Sequence, residues 1–349
     1  MRWSPPARTG LTALLGTALA LPAGPAPAPP GTYPVTPAAL RAAGPPYAGW
    51  ADAGRRFLRF DPRGDGLAVE VLGDLATADR IAVLVPGVGS TLRDFDRGLG
   101  GVPGRAPARQ ARDLYAALRA GHPGARVAVL AWLGYDPPDG VATAAGPAAA
   151  RRGAPALRTL LRELAAPGVR ITLVGHSYGA LVAGLAARDV PAQVTDLVTL
   201  GGIGAGVDRA DALPGVRVWA AEAATDWIRR VPELRLAGLG HGVRPGDPAF
   251  GARRLPVAGV AGHDGYLAPG GVTLAAVAAV VRDGALPSAA DLTDSPRAGA
   301  LPAGALPAGA VPAGAVPAGA VPAGAVPAGA VPASAVPAGA PATATGAGR

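Results

Sequence analysis

The chain has 349 residues, and its composition excludes several classes of protein chemistry. It contains no cysteine, so disulfide frameworks, thiolate nucleophiles and iron–sulfur clusters are ruled out. All 32 Lys and Arg residues are arginine, and without lysine neither a Walker-type phosphate loop nor a pyridoxal Schiff base can form. The four histidines include no H-E-x-x-H pair, so we expect neither a metal site nor a cofactor.

The formal net charge of +8 raises the question of nucleic-acid binding. The arginines are scattered singly or in pairs, as at Arg55-Arg56 and Arg253-Arg254, and only 4% of the residues are aromatic. A nucleic-acid interface would need a basic patch interleaved with aromatic side chains that stack on bases. We therefore interpret the charge as ordinary surface charge and expect no nucleic-acid partner.

The beginning of the chain differs in composition from the middle. Residues 1–30 combine the basic Arg2 and Arg8, an apolar run from Leu11 to Leu21 and a stretch rich in Ala and Pro, which is the layout of a signal peptide. The apolar run is too short to form a transmembrane anchor. These features predict a secreted or exported protein, with a cytoplasmic protein that carries an N-terminal extension as the alternative.

The end of the chain is repetitive. From Leu301 to Ala340 a unit of the type Val-Pro-Ala-Gly-Ala occurs eight times in succession. One small aliphatic side chain per unit cannot offset the entropy lost on ordering, and the regular prolines interrupt helices and strands. We therefore interpret residues 286–349 as a disordered tail, which leaves a linker at 31–56 and one domain at 57–285.

Within that domain, short apolar runs alternate with longer segments of helical period. The runs are continuous in apolar residues, which is typical of strands covered on both faces of a mostly parallel sheet. This alternation predicts a doubly wound α/β fold, in which functional residues follow the carboxyl ends of strands. The predicted strands are Leu67–Leu72, Ile81–Val85, Val127–Leu133, Val169–Val174, Asp196–Leu200, Val216–Ala220 and Leu255–Val260, and the predicted helices are Ala106–Ala120, Pro147–Ala166, Tyr178–Arg188 and Val272–Val281.

One predicted strand leads directly into a G-x-S-x-G motif. Val174 is followed by Gly175-His176-Ser177-Tyr178-Gly179, and a helix of small residues comes next. In this setting the motif is a nucleophile elbow, in which the serine sits on a strained, very sharp turn. Glycine on both sides of the serine relieves collisions with the neighbouring chain. We therefore predict Ser177 as a nucleophile.

A serine nucleophile in this fold needs a histidine base from late in the chain. His263 follows the last predicted strand and lies in the loop Gly262–Tyr266, whereas His241 precedes that strand. We predict His263 as the base, with His241 as the alternative. His176, beside the nucleophile, is expected to support the elbow from behind.

The carboxylate that orients the base should follow an earlier strand. Asp226 comes after the predicted strand Val216–Ala220, and the apolar residues that follow it could bury it against the imidazole. We predict Asp226 as this acid. The alternatives are Glu222, Asp208 and Asp211.

Backbone N–H groups are expected to form the oxyanion hole. One should come from Tyr178, directly after the nucleophile, and the other from the loop after an early strand. The strand Ile81–Val85 leads into such a loop, in which Gly87 or Val88 is the predicted donor. We interpret the glycine-rich segment 201–206, which lacks the G-x-G-x-x-G spacing, as part of the active-site rim. Side chains that could line the pocket are Tyr135, Asp136 and Tyr266.

Taken together, these motifs resemble a known group of proteins. The resemblance spans about Phe57 to Val281 and is to a branch of the α/β-hydrolase superfamily that is common in actinobacteria and catalogued as a domain of unknown function. It implies a hydrolase fold with Ser177, Asp226 and His263 as a catalytic triad. The motifs that carry it are Val85-Pro86-Gly87-Val88-Gly89, Trp132-Leu133-Gly134-Tyr135-Asp136, Gly175-His176-Ser177-Tyr178-Gly179, Asp226-Trp227-Ile228 and Gly262-His263-Asp264-Gly265-Tyr266.

The sequence therefore predicts a serine hydrolase that acts by acyl transfer on a small-molecule or lipid-like ester or amide. Esters are favoured by analogy, because they are the commoner substrates of this fold. The alternative is an exported binding or envelope-associated protein, in which the hydrolase fold is a non-catalytic scaffold and the repeat tail carries the function.

Overall fold

The computed structural model of the protein describes residues 33–140, 142–236 and 238–286. The predicted signal peptide at 1–30 and all but the first residue of the predicted tail lie outside these residues. The described residues belong to one compact unit. None of the helices in these three ranges is long and apolar enough to span a membrane.

Eight strands of the described chain form a single sheet in the order β1-β2-β4-β3-β5-β6-β7-β8. β2 pairs antiparallel with both β1 and β4, and the remaining neighbours pair in parallel. The mostly parallel α/β fold predicted from the sequence is therefore confirmed. The strands are β1 (Arg56–Asp61), β2 (Leu67–Gly73), β3 (Arg80–Val85), β4 (Val127–Leu133), β5 (Arg170–His176), β6 (Val194–Leu200), β7 (Arg217–Ala221) and β8 (Arg253–Arg254).

Helices cover both faces of this sheet. On one face α3 and α6 pack over a core cluster, and on the other α4 and α5 pack over a second cluster. Because both faces are covered, a central strand such as β4 is buried along its whole length. The helices are α1 (Pro37–Ala42), α2 (Tyr47–Asp52), α3 (Pro107–Arg119), α4 (Ala148–Leu164), α5 (Tyr178–Ala186) and α6 (Val272–Asp283).

The last predicted strand is wrong. Leu255–Val260 is not a strand, and β8 consists of Arg253–Arg254 alone. Leu255 donates one more ladder hydrogen bond, to the carbonyl of Ala220 at 2.9 Å. Pro256 has no N–H to continue the ladder, and Gly259 turns the chain with a φ of 74°. The chain therefore approaches His263 as a loop rather than as a strand.

The segment 31–56, which the sequence analysis treats as a linker, contributes to the core. It contains α1 and α2, and Leu40 and Trp50 are buried in the cluster beneath α3 and α6. Trp50 stacks on Phe57 of β1 with ring centroids 5.3 Å apart. The two helices were not predicted, because each has only six residues and the segment is rich in proline and glycine.

A buried carboxylate joins β6 to β7. Asp196 is 1% exposed and accepts hydrogen bonds from the Arg217 guanidinium at 2.8 and 2.6 Å and from Trp219 Nε1 at 2.8 Å. A buried charge is tolerated when such donors surround it. These contacts link the two strands that lead to the loops of Gly201 and Asp226.

We expect Asp196→Ala to lower the free energy of unfolding by about 2 to 3 kcal/mol, because Trp219 Nε1 and Arg217 both lose their acceptor. Chemical denaturation measures this loss. The matched control is Asp189→Ala, which breaks an exposed ion pair with Arg162 and should cost less than about 0.5 kcal/mol. Equal losses of unfolding free energy in the two variants would show that Asp196 contributes no more to stability than an exposed ion pair.

Candidate active site

Ser177 lies on a strained turn between β5 and α5. Its φ and ψ are 55° and −121°, and it is the only residue other than glycine with a positive φ in the described chain. A Cβ at Gly175 would lie 2.5 Å from the Ala180 Cα, and one at Gly179 would collide with the Val85 carbonyl oxygen. The two glycines of the motif are therefore required sterically, as the sequence predicted.

Neighbouring strand ends hold this turn in place. The Ser177 N–H donates to the carbonyl of Leu200, at the end of β6, at 2.9 Å. On the other side Gly87, which follows β3, approaches so closely that a Cβ there would lie 2.8 Å from the Ser177 Cβ. The serine thus lies where the carboxyl ends of β3, β5 and β6 meet.

The predicted oxyanion-hole donors border the serine. Tyr178 is the first residue of α5, so its N–H has no acceptor within the helix. The loop after β3 is fixed by two hydrogen bonds, from Tyr135 Oη to the Pro86 carbonyl and from the Gly89 N–H to the Pro138 carbonyl, both 2.8 Å long. The N–H of Val88, between these anchors, has no acceptor in the described chain. Neither of these two N–H groups has a backbone acceptor among the described residues.

His263 and Asp226 form a buried hydrogen-bonded pair. The imidazole Nδ1 lies 2.9 Å from both Asp226 oxygens, and the two residues are 8% and 3% exposed. A carboxylate at Nδ1 favours the tautomer with the proton on that nitrogen, which leaves the lone pair of Nε2 as a proton acceptor. This is the arrangement that a general base requires.

The alternative base and acids lie elsewhere. His241 points its Nε2 at the Ala144 carbonyl at 2.8 Å and does not contact Asp226. The three alternative carboxylates are all held in ion pairs, Glu222 with Arg244, Asp208 with Arg235, and Asp211 with Arg209. In the ranges that the structure covers, no three His, Asp or Glu side chains converge in a way that could hold a metal ion.

His176 ties the loop of His263 to the elbow. Its Nε2 donates to the His263 carbonyl at 2.8 Å, and the two imidazole rings lie 4.8 Å apart. The sequence placed His176 behind the elbow, and its contact is in fact with the base. The Nε2 of His263 is buried and has no hydrogen-bond partner among the described residues, so the bond to Ser177 Oγ is not formed in this conformation. Catalytic hydrogen bonds commonly tighten only when substrate binds.

Asp226 accepts two hydrogen bonds besides that of His263. Tyr266 Oη donates to Oδ2 at 2.6 Å, and the Ile228 N–H donates to Oδ1 at 2.8 Å. Burial would raise the pKa of Asp226, but the hydrogen bonds from His263, Tyr266 and Ile228 outweigh it and lower the pKa. Asp226 is therefore ionised at neutral pH.

This contact of Tyr266 was not predicted from the sequence, which indicated only that the side chain could line the pocket. Tyr266 is only 2% exposed, Tyr135 is also buried, and Asp136 is exposed to solvent. The Gly-His-Asp-Gly-Tyr motif indicates that the tyrosine lies in the same loop as His263, three residues later. The direction of its side chain depends on a turn that spacing alone does not define.

Two further residues border the acid and base. A Cβ at Gly201 would lie 2.6 Å from Asp226 Oδ2 and 3.0 Å from His263 Nδ1, so only glycine lets the pair approach the end of β6. Trp227 is 41% exposed and places its ring 4.7 Å from that of His263. The base thus has a close backbone neighbour on one side and an exposed aromatic neighbour on another.

His176 gives the site a pH-dependent stability. Burial, and then the charge of His263, lower the pKa of His176 from 6.5 to about 4. The unfolded chain then binds more protons than the folded chain between these values, so stability is lost as the pH falls from about 6.5 to about 4. Above that window His176 is neutral, and its Nε2–H remains a donor to His263.

We expect His176→Gln to reduce this loss of stability, because glutamine keeps an N–H donor but does not titrate. Urea denaturation at several pH values between 4 and 7 measures the slope. Some slope should remain, because burial also lowers the pKa of His241. The control variant is His122→Gln, at an exposed histidine outside the site. An unchanged slope in His176→Gln would show that another group titrates.

Comparisons with known proteins agree with this architecture. A family model described as alpha/beta hydrolase matches residues 61–236. An uncharacterized protein of Mycobacterium tuberculosis is 35% identical over 158 residues, which cover 44% of this chain and 58% of the relative. A second uncharacterized protein of that organism is 29% identical over 230 residues, which cover 56% of this chain and 33% of the relative. The chain spans little more than half of the first relative and a third of the second.

Solved structures of similar fold are remote in sequence. Dienelactone hydrolase from Anabaena variabilis is 17% identical, with a TM-score of 0.37, and the match covers 67% of this chain and 98% of that one. LpqC, a poly(3-hydroxybutyrate) depolymerase from Bordetella parapertussis, is 16% identical with the same TM-score of 0.37, over 69% and 94% of the two chains. These likenesses are too low to indicate a substrate. The family model, in contrast, matches just over half of the 349 residues, and the chain therefore belongs to the alpha/beta-hydrolase family.

Proposed function

We propose that the protein is a serine hydrolase that cleaves an ester by acyl transfer through Ser177, His263 and Asp226. The observation that carries the proposal is the strained backbone of Ser177 at the end of β5. His176, in the same strand, hydrogen-bonds to the carbonyl of His263, and His263 is paired with Asp226. A positive φ at a serine costs of order 1 to 3 kcal/mol. Such strain is typical of functional sites, where it presents a side chain that a relaxed turn would not.

The reaction proceeds in two halves. His263 Nε2 takes the proton of Ser177 Oγ as Oγ bonds to the ester carbonyl carbon, and the carbonyl oxygen becomes an oxyanion. The oxyanion reforms the carbonyl as the bond to the alcohol breaks, and the alcohol leaves with the proton from Nε2. A water molecule then gives its proton to Nε2 and attacks the acyl carbon. The acid leaves, and the proton returns to Oγ.

Fixed charges and dipoles of the protein stabilise the charges that form in each half of the reaction. The ionised Asp226 stabilises the imidazolium that forms when His263 holds the proton. The N–H groups of Tyr178 and of Val88 or Gly87 would bind the oxyanion, and one such donor is typically worth about 3 to 4 kcal/mol in the transition state. The N-terminus of α5 adds a favourable dipole for the same charge.

An exposed aromatic side chain beside His263 supports a lipid-like ester as substrate. Trp227 is 41% exposed, and its ring lies 4.7 Å from that of His263. Ligand sites are lined predominantly by apolar and aromatic side chains, against which the apolar part of a substrate packs.

The alternative, a binding protein with a non-catalytic hydrolase scaffold, gives no reason for the strain at Ser177 or for a buried carboxylate at His263 Nδ1. It agrees equally well with export, which we propose from residues 1–30. A chemical probe of the serine separates the two functions.

We expect a fluorophosphonate probe to label the wild type at Ser177, because the hydroxyl is activated by an adjacent base. Labelling should be lost in Ser177→Ala, and ester turnover should fall by about 10⁴-fold or more. Gel fluorescence and mass spectrometry of the modified peptide measure this. A wild type that the probe does not label would support the binding protein.

His263 and His241, which are both buried, provide a matched pair of variants. We expect His263→Ala to lower the turnover of p-nitrophenyl butyrate by about 10³-fold or more, because Oγ loses its proton acceptor. His241→Ala should retain most of the activity, since His241 contacts Ala144 and Tyr178 instead of Asp226. The reverse result would move the base to His241.

A further inference from the structure

The hydrogen bonds of the Tyr266 hydroxyl show which group receives its proton. Tyr266 Oη accepts a hydrogen bond from the Ala223 N–H at 3.0 Å and lies 2.6 Å from Asp226 Oδ2. A carboxylate has no proton to give, so the phenolic proton must be donated to Asp226. The ring is buried in the core beneath α6, and its hydroxyl therefore cannot turn to solvent instead.

The loop that holds His263 also supplies this donor. The two residues are three positions apart, and the chain between them turns so tightly that a Cβ at Gly265 would lie 2.8 Å from the Ala261 carbonyl oxygen. The turn sends the Tyr266 ring back towards Asp226. One short loop thus carries both the base and a group that binds the carboxylate partner of that base.

Tyr266 and His263 compete for the charge of the same carboxylate. A hydrogen bond to an ionised oxygen is short and strong, and each donor takes up part of the negative charge. Without Tyr266, Asp226 would keep a donor on Oδ1 from Ile228 but would offer more of its charge to the imidazolium. It would also be freer to rotate, because Oδ2 would lose its shortest contact.

We propose that Tyr266 is a positioning residue that fixes Asp226 and limits how strongly this carboxylate holds the protonated base. The inference rests on the proposed serine hydrolase function. The consequence is a base that releases its proton readily to the leaving alcohol.

The other charged groups around the base make no hydrogen bond to the Tyr266 hydroxyl. His176 contacts His263 from the end of β5 and is neutral above about pH 4. Asp264 is held by Arg105 at 2.9 Å, and Glu222, beyond Tyr266, is held by Arg244 at 3.1 Å. A changed pH profile in a Tyr266 variant can therefore be assigned to the bond with Asp226.

The experiment compares Tyr266→Phe with the wild type of the full chain. Phenylalanine keeps the ring and removes the hydroxyl, which takes the donor from Asp226 and the acceptor from the Ala223 N–H. We expect kcat to fall about 10-fold with KM within about twofold, because the lost bond acts on the proton-transferring groups and not on substrate binding. The acid limb of the kcat/KM profile should move to higher pH by about half a unit, because Asp226 then holds the imidazolium more strongly.

A second variant reverses the effect and preserves the fold. Replacing the Tyr266 side chain by 3-fluorotyrosine, whose hydroxyl is more acidic, strengthens the donated hydrogen bond. We expect the acid limb to move to lower pH in this protein. Opposite shifts in the two variants are an outcome that a purely structural role would not produce.

Thr273→Val is the matched control for stability. Thr273 is fully buried, and its Oγ1 donates to the Pro256 carbonyl at 2.7 Å, outside the site. This variant should lose a similar buried hydrogen bond while it keeps the wild-type kcat and pH profile. If Tyr266→Phe and the fluorotyrosine protein likewise keep that profile, the proposal for Tyr266 is overturned.

The fluorophosphonate probe distinguishes this failure from failure of the proposed function. A wild type that is labelled at Ser177, together with unchanged profiles in both Tyr266 proteins, overturns the role of Tyr266 alone. A wild type that is not labelled overturns both proposals.

Discussion

The backbone of Ser177 is the constraint around which the site is arranged. Its φ of 55° can be held only if neighbouring chain packs closely against the turn, and the contacts come from the ends of the two adjacent strands, β3 and β6. The Val85 carbonyl lies against Gly179, the Leu200 carbonyl accepts the Ser177 N–H, and Gly87 lies against the Ser177 Cβ. The hydrogen bonding and packing of the parallel strands thus offset the strain, because moving the serine would require β3, β5 or β6 to move.

Two buried carboxylates lie near the opposite ends of β6 and β7. Near the amino ends of β6 and β7, Asp196 accepts from Arg217 and Trp219. Beyond their carboxyl ends, Asp226 accepts from His263 and Tyr266. In both places the charge is buried with several donors, which is the condition under which it stabilises rather than weakens a core. The first carboxylate links β6 to β7, and the second contacts the imidazole of His263.

Continuous apolarity identified the central strands because helices cover both faces of the sheet there. Six of the seven predicted strands and all four predicted helices are present, with ends that shift by at most two residues. The same criterion failed at Leu255–Val260, where Leu255 and Val260 are buried although Pro256 ends the ladder. Burial alone therefore does not indicate pairing. β1 escaped prediction for the opposite reason, since polar residues interrupt its apolar run at the edge of the sheet.

The order of residues along the chain pointed to His263 and Asp226, and the structure brings these two side chains together. Chain order carries such information because parallel strands place successive loops at one edge of the sheet. It carries none about the direction of a side chain within a loop, and for this reason the contacts of Tyr266 and His176 were not predicted.

These contacts matter because the chain approaches His263 without a strand to guide it. The His263 carbonyl accepts from His176, and the His263 ring nitrogen faces Asp226. Burial lowers the pKa of His176, so this side chain is neutral at neutral pH and places no positive charge beside His263. The hydrogen-bond donors around Asp226 lower its pKa, so the carboxylate keeps its negative charge there. The predicted base thus lies between a neutral imidazole and a charged carboxylate, and burial and hydrogen bonding keep the two groups in those protonation states.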